Sequence, residues 1–200
     1  MSAGGVAAHP GEPRLVLVRH GATEWSQNGR HTSRTDLPLL PSGIDRARAL
    51  GPALAGFEFA QVLSSPLQRA RQTAELAGYG ERLEIAPELT EWDYGDYEGL
   101  TSEAIWKQRP DWKLWTDGAP GGESPQQVAA RADGVIASVA QAGGDVLLFA
   151  HGHILRVLAA RWIGEPPALG ALLKLDPATI SILGHEHDAR VIERWNGPAS

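Results

Sequence analysis

The 200-residue chain contains no cysteine. That excludes disulfides, thiolate metal ligands and a cysteine nucleophile, and it fits any redox compartment. Lysine is scarce: of 18 basic residues only Lys107, Lys113 and Lys174 are lysines, the rest arginines. As a whole that bias reflects coding composition as readily as function, so only the positions of individual arginines carry meaning. No apolar run approaches the ~18–20 residues of a membrane-spanning helix, and no membrane partner is expected. Positive charge is not in excess either. The formal net charge is −6, opposite to the basic footprint of a nucleic-acid binder. The segment Met1–Pro13 is rich in Gly, Ala and Pro and lacks the charged-then-apolar order of a secretory signal. It reads as a disordered lead-in at residues 1–13, and the chain as cytoplasmic. Residues 14–200 have the length of one domain with a full core.

Along those residues apolar strands alternate with helical stripes. Leu15-Val16-Leu17-Val18 reads as a buried strand ending near Arg19. An irregular loop is expected over 22–41. A helix follows with Ser42 as cap and Ile44, Ala47, Leu50 and Leu54 on one face. Gln61–Ser64 reads as a strand, and Ser65-Pro66 as the start of a helix reaching Ala77. A short strand is expected at Leu83–Ala86. Residues 90–123 hold Trp92, Trp106, Trp112 and Trp115 among acidic, Gly and Pro residues, and read as a partly helical insertion over one end of the sheet. Ser124-Pro125-Gln126-Gln127 forms a capping box before a stripe of Val128, Ala132, Val135 and Val139. A strand at Asp145–Ala150, a helix at His153–Ile163, and strands at Thr179–Leu183 and Ala189–Trp195 around a turn at Gly184–Asp188 complete the chain. This alternation predicts a three-layer α/β/α fold with a mostly parallel central sheet.

Three strand-to-helix junctions carry related chemistry. Arg19-His20-Gly21 ends the first strand, Arg69 falls in the first turn of the helix after Leu63-Ser64, and Ala150-His151-Gly152-His153 ends the fourth. In a parallel sheet these junctions share one edge, where open α/β folds bind ligands. Two guanidiniums, up to three imidazoles and two helix N-termini would then surround one crevice. Such a set suits a compact dianion, since helix N-termini offer free N–H groups and arginine offers bidentate bonds.

The run Leu17-Val18-Arg19-His20-Gly21-Ala22-Thr23 resembles the RHG signature of the histidine phosphatase superfamily, the phosphoglycerate-mutase-like fold. Ser64–Ala74, Leu89–Gly99, Gly122-Glu123-Ser124 and Ala150–His153 resemble its further motifs, in the same order. The resemblance implies that His20 is a nucleophile forming a phosphohistidine and that Arg19, Arg69 and His151 clamp the transferred oxygens. Nearby guanidiniums disfavour protonation of His20 and keep its lone pair free. Glu91 matches the general acid, with Asp93, Asp96 and Glu98 as competitors for that role. The resemblance implies no metal and no cofactor, and a small phosphorylated metabolite as substrate.

Some positions depart from the family's pattern. Ser26 stands where the family has Asn, and Ser33 where it has Gly; Ser26, Thr32 and Ser33 remain candidates for substrate contact, with Gly152 and His153. Glu123 either faces the site or favours the helix start behind it. The tryptophans of the insertion either wall the substrate or pack the insertion itself. His185-Glu186-His187 reads as a solvated turn rather than a metal site, and His9 and His31 carry no argument beyond position. Only 31 residues separate Glu91 from Glu123, short for the mutases of the family, which enclose a bisphosphorylated intermediate. The motifs look like the branch of small acid phosphatases and sedoheptulose-bisphosphatase-like enzymes. The expectation is therefore a metal-independent phosphomonoesterase. A 2,3-bisphosphoglycerate-dependent mutase and a non-catalytic phospho-ligand binding module are the alternatives. Dimers are common in the family, so a homodimer is possible.

Overall fold

A computed structural model describes residues 12–199; His9 and most of the expected lead-in lie outside them. Six strands form one sheet: β1 (Leu15–Arg19), β2 (Phe59–Ser64), β3 (Leu83–Ile85), β4 (Asp145–Ala150), β5 (Ile180–Glu186) and β6 (Ala189–Gly197). Their order is β3-β2-β4-β1-β5-β6. The first four run parallel. β5 runs antiparallel to β1, and β6 antiparallel to β5, so one edge is a hairpin. The helices are α1 (Glu24–Asn28), α2 (Pro41–Leu54), α3 (Gln68–Leu76), α4 (Ser102–Trp106), α5 (Leu114–Asp117), α6 (Pro125–Val139) and α7 (Gly152–Trp162).

The unbroken apolar runs of β1 and β4 follow from cover on both faces. Leu15, Leu17, Val146 and Leu148 join a core with α6 and α7. Val16, Val18, Leu147 and Phe149 join a second core with Leu50 and Leu54 of α2 and Ala74 of α3. Each such side chain contributes about 1.5–3 kcal/mol on full burial, so the paired strands are fixed in register, with Arg19 opposite Ala150 and Ser64 opposite Phe149. The ends of β1, β2 and β4 therefore meet on one edge. Among the described residues no helix is long and apolar enough to cross a membrane.

Several element boundaries differ from the sequence reading, each for a local reason. The loop over 22–41 contains α1, capped by a Thr23/Ser26 box. α2 starts at Pro41 behind an extended Leu40, and Ser42 is not its cap; the residue before a proline is held out of the helical region, so the proline sets the boundary. Its inward face uses Gly43 in place of Ile44. A Cβ on Gly43 would lie 2.4 Å from the Ala22 carbonyl oxygen, and one on Gly21 2.6 Å from that of Gly43, so two glycines allow α2 to abut the chain just past His20. α3 begins at Gln68, two residues after Pro66, because the Ser65 hydroxyl is taken by His151 Nε2–H and the Leu67 N–H rather than capping a helix. The β5–β6 turn narrows to His187 and Asp188. His185 is not solvated: it lies in β5 with its ring 5.2 Å from that of Trp162 and Nε2 3.2 Å from Glu12 Oε2.

The capping box at Ser124 forms as the sequence suggests, and its apolar stripe is buried. Trp92 and Trp112 are buried in the core shared with α6 and α7, with indole N–H groups donating to Glu123 and Gly118 carbonyls. The indole of exposed Trp106 donates to the Trp112 carbonyl. None of the four lines the cavity described below; Trp92, Trp106 and Trp112 pack the insertion, and Trp115 lies between Trp92 and the Arg156 guanidinium of α7.

Candidate active site

A cavity of about 210 Å³ opens at the shared strand edge, with Arg19, His20, Glu91, Gly152 and His153 in its wall. His20 extends β1, its N–H bonding to the Ala150 carbonyl. Its Nδ1 lies 2.7 Å from the Gly21 carbonyl oxygen. A carbonyl only accepts, so Nδ1 carries the proton and Nε2 holds a free lone pair. Burial pushes the imidazole well below its ordinary pKa, and the Arg69 and Arg19 charges push it the same way. The Gly21 N–H donates to Thr73 Oγ1, and that hydroxyl donates to the Arg69 carbonyl. α3 is thereby registered against the end of β1.

Arg69 is buried, with four donated bonds: Nε to His151 Nδ1 at 3.1 Å, and its terminal nitrogens to the carbonyls of Thr35, Thr32 and Ser33. Because guanidinium only donates, His151 Nδ1 accepts and Nε2 carries the proton, which it gives to Ser65 Oγ at 2.8 Å. The His151 ring lies 5.1 Å from that of His20, and burial and Arg69 hold it neutral. Arg19 donates through Nη1 to the Leu175 carbonyl. Its Nε is the one buried side-chain polar atom without a partner among the described residues. An unpaired, buried guanidinium donor is costly unless a ligand takes it, and Arg19 belongs to the cavity wall.

Glu91 closes the other side. Its Oε1 accepts from the Trp92 and Ile154 N–H groups, and Oε2 from that of His153. The carboxylate thus caps the N-terminus of α7, where His151 itself makes no side-chain cap. Gly152 separates Arg19 from Glu91: a Cβ there would sit 3.4 Å from Arg19 Nε and 3.7 Å from Glu91 Oε2. Two of the three competing acids, Asp93 and Glu98, are committed elsewhere, and Asp96 is exposed. Asp93 pairs with Arg34. Glu98 binds the Ser33 N–H and hydroxyl and the Thr35 N–H; burial opposes its charge, but these bonds hold it below the usual carboxylate range.

Four expected contacts are not in the cavity wall: Arg69 and His151, expected on the phosphoryl oxygens, and Ser33 and Glu123, expected on the substrate. Ser33 is buried, its backbone and hydroxyl occupied by Glu98. Glu123 pairs with Arg131 and accepts from the Asp93 N–H. Arg131 in turn donates to the carbonyls of Glu88, Thr90 and Glu91, so Glu123 braces the Glu91 loop from behind. Ser26 and Thr32 do line the cavity, although their hydroxyls bond to the Thr23 and Arg30 carbonyls. Trp25, Arg30, His31, Tyr94 and Arg156 also line it, and the sequence reading missed them. Arg156 had a signal, one helical turn beyond His153 on α7. His31 had none, since its place depends on the Arg30–Thr101 bridge between distant segments.

The family profile of the histidine phosphatase superfamily (branch 1) matches residues 15–198. An acid phosphatase of Mycobacterium tuberculosis is 42% identical over 181 residues, covering 88% of this chain and 89% of that protein. Sedoheptulose 1,7-bisphosphatase of Saccharomyces cerevisiae is 37% identical over 185 residues, covering 76% and 68%. A solved structure of a Mycobacterium tuberculosis open reading frame superposes with a TM-score of 0.89 at 40% identity, covering 94% of this chain and 99% of that one. The profile runs from the first residue of β1 past the last of β6, so the sheet, the strand-end residues and the acid loop all fall within it: the chain belongs to the histidine phosphatase superfamily, branch 1.

Proposed function

We propose that this chain hydrolyses small phosphomonoesters, with His20 as nucleophile and Glu91 as proton donor. One observation carries the reading: His20 Nδ1–H is spent on the Gly21 carbonyl, which leaves Nε2 unprotonated beside the guanidiniums of Arg19 and Arg69. Nε2 attacks phosphorus and forms an N–P bond as the ester P–O bond breaks. The departing alkoxide takes the proton of Glu91, whose Oε2 accepts a single backbone bond and is the freer oxygen. Water then attacks phosphorus, gives a proton to the Glu91 carboxylate and releases phosphate from His20. Arg19 and the remaining Nη1–H of Arg69 serve the equatorial oxygens, where phosphoryl transfer concentrates its charge; His151, bonded at both ring nitrogens, holds the Arg69 guanidinium in place. The guanidiniums supply the charge that a divalent cation supplies elsewhere.

The proposed substrate class is a phosphorylated metabolite small enough for the cavity, and the proposed place of work is the cytoplasm. Phosphate release should be measured over a panel of phosphorylated metabolites in EDTA, beside a His20→Ala control. Turnover that persists in chelator and disappears in the variant is expected. Loss of activity in chelator contradicts the metal-free scheme. Isomerisation of 3-phosphoglycerate outpacing phosphate release assigns a mutase instead, and tight binding without turnover assigns a sensor.

A further inference from the structure

Beyond the phosphoryl-binding end, the cavity wall carries two imidazoles, His31 and His153, whose rings are nearly parallel at 6.2 Å and 14°. Neither is needed by the chemistry proposed above. His31 is drawn in by an elbow of chain that pairs Arg30 with Thr101, and its ring meets the edges of Tyr94 and Trp112 at 4.7 and 5.7 Å. Its Nδ1 lies 2.8 Å from the Leu100 carbonyl oxygen. That bond assigns the proton to Nδ1 and leaves Nε2 an acceptor.

His153 has the opposite polarity. Its Nδ1 lies 2.6 Å from the Tyr94 hydroxyl. That phenol is buried, held protonated first by burial and then by the Glu91 charge, and it has no other hydrogen-bond partner among the described residues. A buried O–H must be satisfied, so Tyr94 donates to Nδ1 and the His153 proton sits on Nε2. Among the described residues neither Nε2 has a hydrogen-bond partner, and neither is among the buried unpaired atoms, so each keeps some exposure on a residue of the cavity wall. The wall therefore presents one nitrogen acceptor beside one N–H donor.

We infer that His31 and His153 form a hydroxyl-reading pair for the leaving group: a substrate O–H donates to His31 Nε2, and a substrate hydroxyl oxygen accepts from His153 Nε2–H. A hydroxyl is at once donor and acceptor and fits this pair, whereas an alkyl or aryl group leaves both nitrogens unpaired. The substrate class becomes hydroxylated, sugar-like phosphate esters rather than plain alkyl or aryl phosphates. This assignment rests on the phosphatase reading and adds to it what the leaving group must carry.

The test compares kcat/KM for primary phosphate esters matched in chain length, with and without hydroxyls: glycerol 3-phosphate against propyl phosphate, erythrose 4-phosphate against butyl phosphate, and ribose 5-phosphate against pentyl phosphate. A site built to bond a hydroxyl discriminates strongly against the analogue lacking it. At least one pair should favour the hydroxylated ester by about tenfold or more. That ratio should fall toward unity in His31→Phe and in His153→Phe, and be partly kept in His31→Gln, whose amide oxygen still accepts. A wild-type enzyme with no preference in any pair overturns the assignment without a variant being needed, as does an unchanged ratio in His31→Phe. If p-nitrophenyl phosphate is turned over while every ratio stays near one, the hydroxyl pair fails and the phosphatase reading stands. If no ester is turned over, p-nitrophenyl phosphate included, both fail.

Discussion

At His20 the Nδ1 bond to Gly21, burial and two neighbouring guanidiniums act in the same direction, toward a neutral ring with Nε2 free. Its protonation therefore lies below the ordinary histidine value of about 6.5, and the acid limb of a kcat/KM profile that reports His20 should fall below that pH. An inflection at or above 6.5 that vanishes in a His20 variant would contradict the assigned environment. Removing the imidazole by His20→Ala should cost at least about 10³-fold in kcat/KM, the scale set by loss of other enzymatic nucleophiles. Glu91 acts on the other side of phosphorus and is tested by leaving group. Glu91→Gln should slow a primary alkyl phosphate by about 10²–10⁴-fold, the range of general acid catalysis, and p-nitrophenyl phosphate much less, since nitrophenolate departs without a proton. Equal losses on both esters would show that Glu91 serves binding or folding instead.

Elements fix these residues by where strands end and what stops them from continuing. The sequence foretold the strand Asp145–Ala150 to the residue, because an apolar run between polar groups has only one buried register. The Ser124 capping box is equally local and forms as read. Ser65 and Ser42 show where local rules yield. Ser65 looks like a helix cap and instead accepts from His151, a partner 86 residues away; Ser42 is displaced by the proline before it. The strand-end cluster was legible because each member carries its charge or ring in the sequence. The commitments of Ser33 to Glu98 and of Glu123 to Arg131 were not legible, since both depend on how the insertion folds back. The contact of α2 with the chain after His20 yields a prediction at this scale. Gly43→Ala places a methyl group against the Ala22 backbone and should destabilise by about 1–3 kcal/mol, as overpacking does, while lowering activity. A denaturation midpoint equal to the parent's would show that the helix can shift away without cost.

For the whole molecule, His20 and His151 are both held neutral, mainly by burial. Their folded values lie below the unfolded value of about 6.5, so between the two the unfolded chain binds more protons and stability rises with pH. Stability should be full above about pH 6.5 and fall as the solution is acidified, by up to about 1.4 kcal/mol per pH unit for each such histidine. Thermal unfolding followed from pH 7.5 to 4.5 checks this, and a flat profile contradicts the burial argument. Inorganic phosphate should raise the midpoint, since a ligand bound only by the folded state stabilises it. The central claim is that separate strand ends converge on one phosphoryl group, which passes through His20. It is tested most directly by rapidly quenching a reaction with a turned-over phosphate ester and mapping the covalent phosphate by peptide mass spectrometry. The account predicts an acid-labile phosphoryl group on His20, absent from His20→Ala; a phosphoryl group on another residue, or full turnover in His20→Ala, would contradict it.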